Sequence, residues 1–180
     1  MWGGLSWDAI AAPGHDMGAL VFYCEAEKLL MSGDAPWENG FGVVLPDEPG
    51  ALAAARDTLD RIAALDVTAV FPGHGQPFTG IRAALDRCYQ RVEAFSADST
   101  RMAGHALKVM LMFTLLERRK LPLDTLSEYL DGVTVYREYN RAYLRFTPSA
   151  LAEMLVSELE RGGAVRRNGE FLEPALRYSS

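Results

Sequence analysis

Val67-Thr68-Ala69-Val70-Phe71-Pro72-Gly73-His74-Gly75 is a β-branched and apolar run that stops at a Pro-Gly turn and sets a histidine just beyond it. The same device stands earlier, where the apolar segment at residues 5–12 breaks at Pro13-Gly14 and is followed by His15-Asp16-Met17-Gly18. A third version, Leu29-Leu30-Met31-Ser32-Gly33-Asp34, ends in a carboxylate. Residues 18–24 are a further apolar run, parted from the third by Glu25-Ala26-Glu27, and the two read as adjacent antiparallel strands. Residues 35–49 hold Pro36, Gly40, Gly42, Pro46 and Pro49, too many breakers for a regular element, so a surface loop is expected.

Helical periodicity fills the spaces between these strands. Leu52, Ala55, Leu59, Ile62 and Ala63 recur at three- and four-residue spacing across residues 51–65, and Leu85, Cys88, Tyr89, Val92 and Phe95 do so across 81–95. Strand, helix, strand, helix is a layered α/β pattern. Ser96-Ala97-Asp98-Ser99-Thr100 is polar and aperiodic and reads as a linker. Beyond it the expectations are a helix over 106–119, a shorter one over 122–130, and a third opened by Thr147-Pro148 and closed by Gly162-Gly163. A hairpin turning at Asn168-Gly169 ends the series, and helix, helix, helix, hairpin is a winged-helix-like order.

Composition narrows the class. The chain has 180 residues, 49% hydrophobic and 23% charged, enough to bury a core and unlike a disordered chain. No apolar run reaches the roughly 20 residues of a membrane span, and Met1-Trp2-Gly3-Gly4 lacks the basic-then-apolar order of a signal peptide, so a cytoplasmic protein without membrane contact is expected. Two cysteines, Cys24 and Cys88, form no CxxC pair and read as buried thiols. The net charge of −6 is uneven: residues 1–100 hold 6 Lys and Arg against 14 Asp and Glu, whereas residues 101–180 hold 12 against 10. The acidic first part argues against a nucleic-acid grip there, and the arginines of the second part leave an acidic partner open.

His15, Asp34 and His74 therefore stand at three strand ends, where open α/β layers present ligands. Each alone is an ordinary turn residue. Together they are a set of nitrogen and oxygen donors suited to Zn²⁺, with Fe or Mn as alternatives. Trp37, three residues after Asp34, is the tryptophan placed to touch a substrate; Trp2 and Trp7 read as strand or sheet-cover residues. Asp16 reads either as an orienting carboxylate or as a turn residue, and His105 as a helix-start or core-edge residue.

Ala12-Pro13-Gly14-His15-Asp16-Met17-Gly18 with Val21-Phe22-Tyr23, then Leu29 to Asp34, then Val70-Phe71-Pro72-Gly73-His74-Gly75, resemble the metallo-β-lactamase superfamily in its hydroxyacylglutathione-hydrolase-like branch. The resemblance covers residues 5 to about 95. It implies the fold class α/β, with half of an αββα sandwich at 1–95, a linker at 96–102 and a small winged-helix-like α+β domain at 103–180. It further implies His15 as a ligand of a first metal, Asp34 as the carboxylate bridging two metals and belonging to the catalytic set, and His74 as a ligand of the second. The implied cofactor is zinc, two ions per complete site, and the implied reaction is hydrolysis of an ester, thioester or similar bond of a small molecule by a metal-activated hydroxide.

The superfamily's His-x-His-x-Asp-His motif has no counterpart in this sequence. The expectation is therefore a C-terminal portion of a longer hydrolase, or a site completed by another chain. The alternative is a catalytically incomplete member serving association or nucleic-acid binding, for which Arg166 and Arg167 are the phosphate candidates. Half a sandwich leaves an apolar sheet face, so a homo-oligomer or a missing N-terminal half is expected to cover it.

Overall fold

Period-two burial builds the first sheet. In β2 (Leu20–Cys24) the side chains of Val21 and Tyr23 are buried while Leu20 and Phe22 are exposed, and in β3 (Leu29–Gly33) Leu30 and Ser32 are buried. β1 (Asp8–Ala11) pairs antiparallel with β2, and β2 antiparallel with β3. β4 (Ala69–Pro72) pairs parallel with β3, giving the order β1-β2-β3-β4. A parallel neighbour needs a crossover, and α1 (Ala51–Ala63) supplies it, with α2 (Ile81–Ala97) packed against α1.

The computed structural model describes residues 3–175, and the chain divides into two units, Met1–Asp98 and Ser99–Ser180. In the first, the buried residues come from one sheet face (Val21, Tyr23, Leu30, Val70) and from the helices (Leu59, Ile62, Leu85, Cys88, Val92). α1 is tied to the turn after β1 by Thr58, whose buried hydroxyl donates to Pro13 O at 2.7 Å, and by Arg61, which donates to Ala11 O. Gly14 lies against α1 so closely that a Cβ there would stand 2.7 Å from the Ala55 Cα.

The other sheet face is apolar and open. The register aligns Phe22 with Met31 and Met31 with Phe71, so one row of large side chains crosses three strands. Phe22 is 40% exposed, Phe71 42%, and Leu20 beside them 50%.

In the second unit, α3 (Ser99–Arg118), α4 (Leu126–Gly132), α5 (Thr134–Tyr139), a π-helical turn (Asn140–Leu144) and α6 (Pro148–Arg161) accompany a three-stranded antiparallel sheet. Its order is β5-β7-β6, from β5 (Leu121–Pro122), β6 (Val165–Asn168) and β7 (Phe171–Pro174). α6 follows its local code: the Thr147 hydroxyl accepts from Ala150 N, Pro148 takes the first turn, and Leu151, Leu155 and Leu159 are buried at four-residue spacing.

Several boundaries depart from expectation. Residues 96–102 are helical on either side of one residue: α2 runs to Ala97 and α3 starts at Ser99, leaving Asp98 alone in extended conformation where the two units divide. Buried Phe95 on α2 and buried Met102 and Ala103 on α3 anchor both helix ends, so the polar residues are exposed helix termini. α3 thereby begins seven residues before the expected start, and His105 lies within it instead of opening it. Pro122 belongs to a strand and not to the start of the next helix, because buried Leu121 pairs with Leu172 and the proline sits on the sheet edge, where its missing N–H costs no ladder bond; that helix starts at Leu126. Asn168 pairs with Phe171, so the hairpin turns at Gly169-Glu170, with Gly169 at φ 58°. Trp7 precedes β1 rather than lying on it, and Trp2 falls outside the described residues. Among the described residues, no helix is long and apolar enough to cross a membrane.

Candidate metal centre

β3, β4 and the turn after β1 bring three sequence-distant side chains together. His15 Nε2 lies 3.4 Å from Asp34 Oδ2, and His74 Nε2 lies 3.7 Å from Asp34 Oδ1. The parallel pairing of β3 with β4 is the cause: Gly33 aligns with Pro72, so Asp34 and His74 leave the sheet side by side. Gly73 N donates to Gly33 O at 2.7 Å, and a Cβ on Gly73 would stand 3.1 Å from Asp34 Oδ1, so glycine leaves the carboxylate its room.

The loop after β3 orients His15. Gly42 N donates to Asp34 O at 2.7 Å, and the next carbonyl, Val43 O, accepts from His15 Nδ1 at 2.6 Å. A carbonyl oxygen only accepts, so Nδ1 carries a proton, and the tautomer this selects is the one that keeps its lone pair on Nε2. That lone pair faces a carboxylate oxygen, an arrangement that invites a cation between them. Two donors held at 2.0 to 2.1 Å around a tetrahedral ion are about 3.3 Å apart, which the 3.4 Å His15–Asp34 approach matches and the 3.7 Å His74–Asp34 approach slightly exceeds.

Each imidazole addresses its own oxygen of Asp34. Among the described residues no group of three His, Cys, Asp or Glu side chains is gathered to hold one ion. The three residues thus form a His–Asp–His row, with one imidazole near each oxygen of the Asp34 carboxylate.

Trp37 also reaches this corner. Its ring meets that of His74 edge to face, 5.2 Å between centroids and 84° between planes, and its Nε1 donates to Gly33 O at 3.2 Å. Beside Asp34 a cavity of about 290 Å³ is lined by Ala12, His15, Leu20, Val21, Ser32 and Gly33. A second, of about 430 Å³ on the other side of His15, is lined by Gly14, Asp16, Met17, Leu45 and Glu48. Asp16 is a turn residue, its carboxylate accepting from Gly18 N at 2.7 Å.

The positions that sequence reasoning missed are backbone ones: Val43 O, Gly33 O, and the glycines Gly42 and Gly73 that let side chains close in. The glycines themselves, at 33, 40, 42 and 73, are the local signal for these positions. Arg166 and Arg167 are ion-paired within their own unit, Arg166 with Glu173 at 3.1 Å and Arg167 with Glu153 at 2.9 Å and Glu160 at 3.1 Å. These hydrogen bonds hold the Glu153 and Glu173 carboxyls below the usual carboxylate range.

Residues 1–74 match the family model of the metallo-beta-lactamase superfamily. A probable metallo-hydrolase, YqjP, of Bacillus subtilis (strain 168) is 28% identical over 160 residues, which cover 77% of this chain and 50% of that one. A hydroxyacylglutathione hydrolase of Pseudomonas putida is 29% identical over 133 residues, covering 71% of this chain and 50% of its own. Among solved structures, a metallo-beta-lactamase family protein from Thermus thermophilus aligns with 95% of this chain and 50% of its own, at 25% identity and a TM-score of 0.42. The chain spans about half the length of these curated relatives.

Proposed function

We propose that this chain, whose residues 1–74 match the metallo-beta-lactamase superfamily model, provides one half of a metal-dependent hydrolase centre acting on an ester, thioester or similar bond of a small molecule. The observation that carries the reading is the pair of imidazoles addressing the two oxygens of Asp34, one of them with its tautomer set by Val43 O. His15, Asp34 and His74 would hold the ions, zinc foremost with iron or manganese as alternatives. Divalent ions there would supply Lewis acidity towards the scissile carbonyl and an activated water at neutral pH. Asp34 faces one imidazole at 3.4 Å and the other at 3.7 Å, Val43 O fixes the His15 ring, and the 290 Å³ cavity is of a size for a small acyl group.

The ligands still lacking are proposed to come from a further segment or a second copy. What supports this is the open row of Phe22, Met31 and Phe71, a face that a packed sandwich would cover. The second unit we read as winged-helix-like, from its order of α3, β5, α4 to α6 and the β6–β7 hairpin. Its paired hairpin arginines, next to an α6 that bears Glu153, Glu158 and Glu160, favour association over phosphate contact as its role.

Elemental analysis of protein purified without chelator tests the centre, with Asp34→Ala and His74→Ala as controls. Transition metal retained by the wild type and lost in both variants is expected, together with hydrolysis in a panel of small esters and thioesters once the covering partner is present. Metal content unchanged by either substitution would remove the basis for the reading.

A further inference from the structure

We propose that Trp37 is a positioning residue for His74: its indole edge holds the imidazole in the orientation that addresses Asp34, and α2 holds the indole. The proposal rests on reading His74 as a metal ligand, and it moves Trp37 from contact with substrate to support of the site.

His74 needs such support. It lies beyond the end of β4, between Gly73 and Gly75, and its side chain is 66% exposed. The contacts that the structure gives its ring are Asp34 at 3.7 Å and the indole of Trp37. By contrast His15 is fixed through Nδ1 by a carbonyl. An exposed imidazole on a glycine turn keeps its rotamers unless something packs on it, and an aromatic edge contact favours one orientation.

The indole is itself held from several sides. Its Nε1–H donates to Gly33 O, the oxygen that also accepts from Gly73 N, so one carbonyl ties together the ends of β3, β4 and the tryptophan. Trp37 N donates to Gly40 O at 2.6 Å, closing a tight turn. Two arginines of α2 clamp that turn: Arg87 donates through Nε and a terminal nitrogen to Glu38 O, and Arg91 to Asn39 O at 3.1 Å. Arg91 also lies over the Phe41 ring and so near Gly40 that any Cβ there would collide with its guanidinium. Ahead of the turn, the buried Ser32 hydroxyl donates to Pro36 O at 2.7 Å. The indole is thereby held in place before any ligand arrives, as a residue that orients a metal ligand has to be.

The test uses the full chain with histidine rings isotope-labelled, His74 being assigned by its loss in His74→Ala. Nuclear Overhauser contacts between the Trp37 indole and His74 ring protons are expected without metal. The His74 ring order parameter is expected near the rigid value of about 0.85 in the wild type and in Trp37→Phe, and below about 0.6 in Trp37→Leu. Arg87→Gln with Arg91→Gln, which leaves the indole in place, is expected to lower it too. Unchanged order in both Trp37→Leu and the arginine pair overturns the proposal.

Co²⁺ titration separates positioning from general damage. Trp37→Leu is expected to weaken Co²⁺ binding about tenfold, Trp37→Phe by less than about threefold, and Trp37→Leu added to His74→Ala to cost nothing more. An equal loss in both backgrounds means that Trp37 supports the fold and not His74, which also overturns the proposal. A wild type that takes up no Co²⁺ refutes the metal-centre reading instead, and the ring-order measurement then decides the role of Trp37 by itself.

Discussion

Replacing Gly42 with alanine probes how His15 is aimed. A Cβ at this position would stand 2.6 Å from His15 Cγ and 2.9 Å from its Cβ and Cδ2. Carbon atoms rest at roughly 3.5 to 4.0 Å, so the ring has to withdraw by about 1 Å. It cannot do so freely, because Nδ1 is held by Val43 O at 2.6 Å, one residue from the substitution. Loss of that hydrogen bond costs about 1 kcal/mol, and crowding one methyl into packed surroundings about 1 to 3 kcal/mol. For a unit of this size each kcal/mol lowers the melting temperature by about 4 to 8 °C, so the two costs together, about 2 to 4 kcal/mol, predict a fall of roughly 8 to 32 °C. The larger effect is on the site: with His15 Nε2 moved away from Asp34, Co²⁺ affinity is expected to drop about 10- to 100-fold, as when a ligand loses its orienting partner. Thermal unfolding followed by circular dichroism reads the first effect and metal titration the second. Gly132→Ala is the control, since it has open space around its Cβ and a helical position, and it should be neutral or stabilising by up to about 1 kcal/mol. Wild-type Co²⁺ affinity in Gly42→Ala, with the His15 ring resonances unmoved, would refute the claim that this close approach aims His15.

Further outcomes follow from other parts of the molecule. Leu155→Ala on α6 removes a fully buried side chain and should cost about 2 to 5 kcal/mol in the second unit, seen as an earlier transition in calorimetry; a shift under about 5 °C would mean that the site collapses around the vacancy. Cys24 and Cys88 are both buried, and burial pushes the Cys88 thiol up to about 11, so neither should react with a disulfide reagent at about pH 8 until denaturant is added; prompt modification of the native chain would contradict this burial. Glu153 is held below its ordinary value of 4.5 by Arg167, so its contribution is present above that value and fades as pH falls through the lowered one; Glu153→Gln should flatten the acid limb of the second unit's unfolding curve, and an unchanged limb would show the exposed pair to be inert. Phe22→Ser with Phe71→Ser should reduce self-association in sedimentation without lowering the melting temperature, whereas marked destabilisation would place these rings in the unit's own core.

Legibility in the sequence varied with the range of the cause. The Thr147-Pro148 start of α6, the apolar runs of β2 and β3 with the polar turn between them, and the periodicity of α1 and α2 are local, and each was readable from a dozen residues. Polarity at residues 96–102 did not foretell the conformation there, because buried Phe95 and Met102 on either side extend α2 and α3 up to Asp98. Pro122 was misread for a different reason, since its strand exists only by the pairing of Leu121 with Leu172, some fifty residues away.

The candidate centre divides along the same line. That His15, Asp34 and His74 end strands, and that a Pro-Gly or a glycine turns the chain just before each, is written in the order of residues, because backbone conformation there is decided by immediate neighbours. That the two imidazoles reach different oxygens of one carboxylate is decided by the parallel register of β3 and β4 and by the return of residues 42–43 over His15. The partner of Trp37 is likewise a product of assembly, since His74 lies thirty-seven residues on and the clamp of Arg87 and Arg91 comes from a later helix. Sequence determines which donors stand at the strand ends, because turns are local; tertiary packing alone decides which atoms they face, because those distances are set by elements whose contacts span tens of residues.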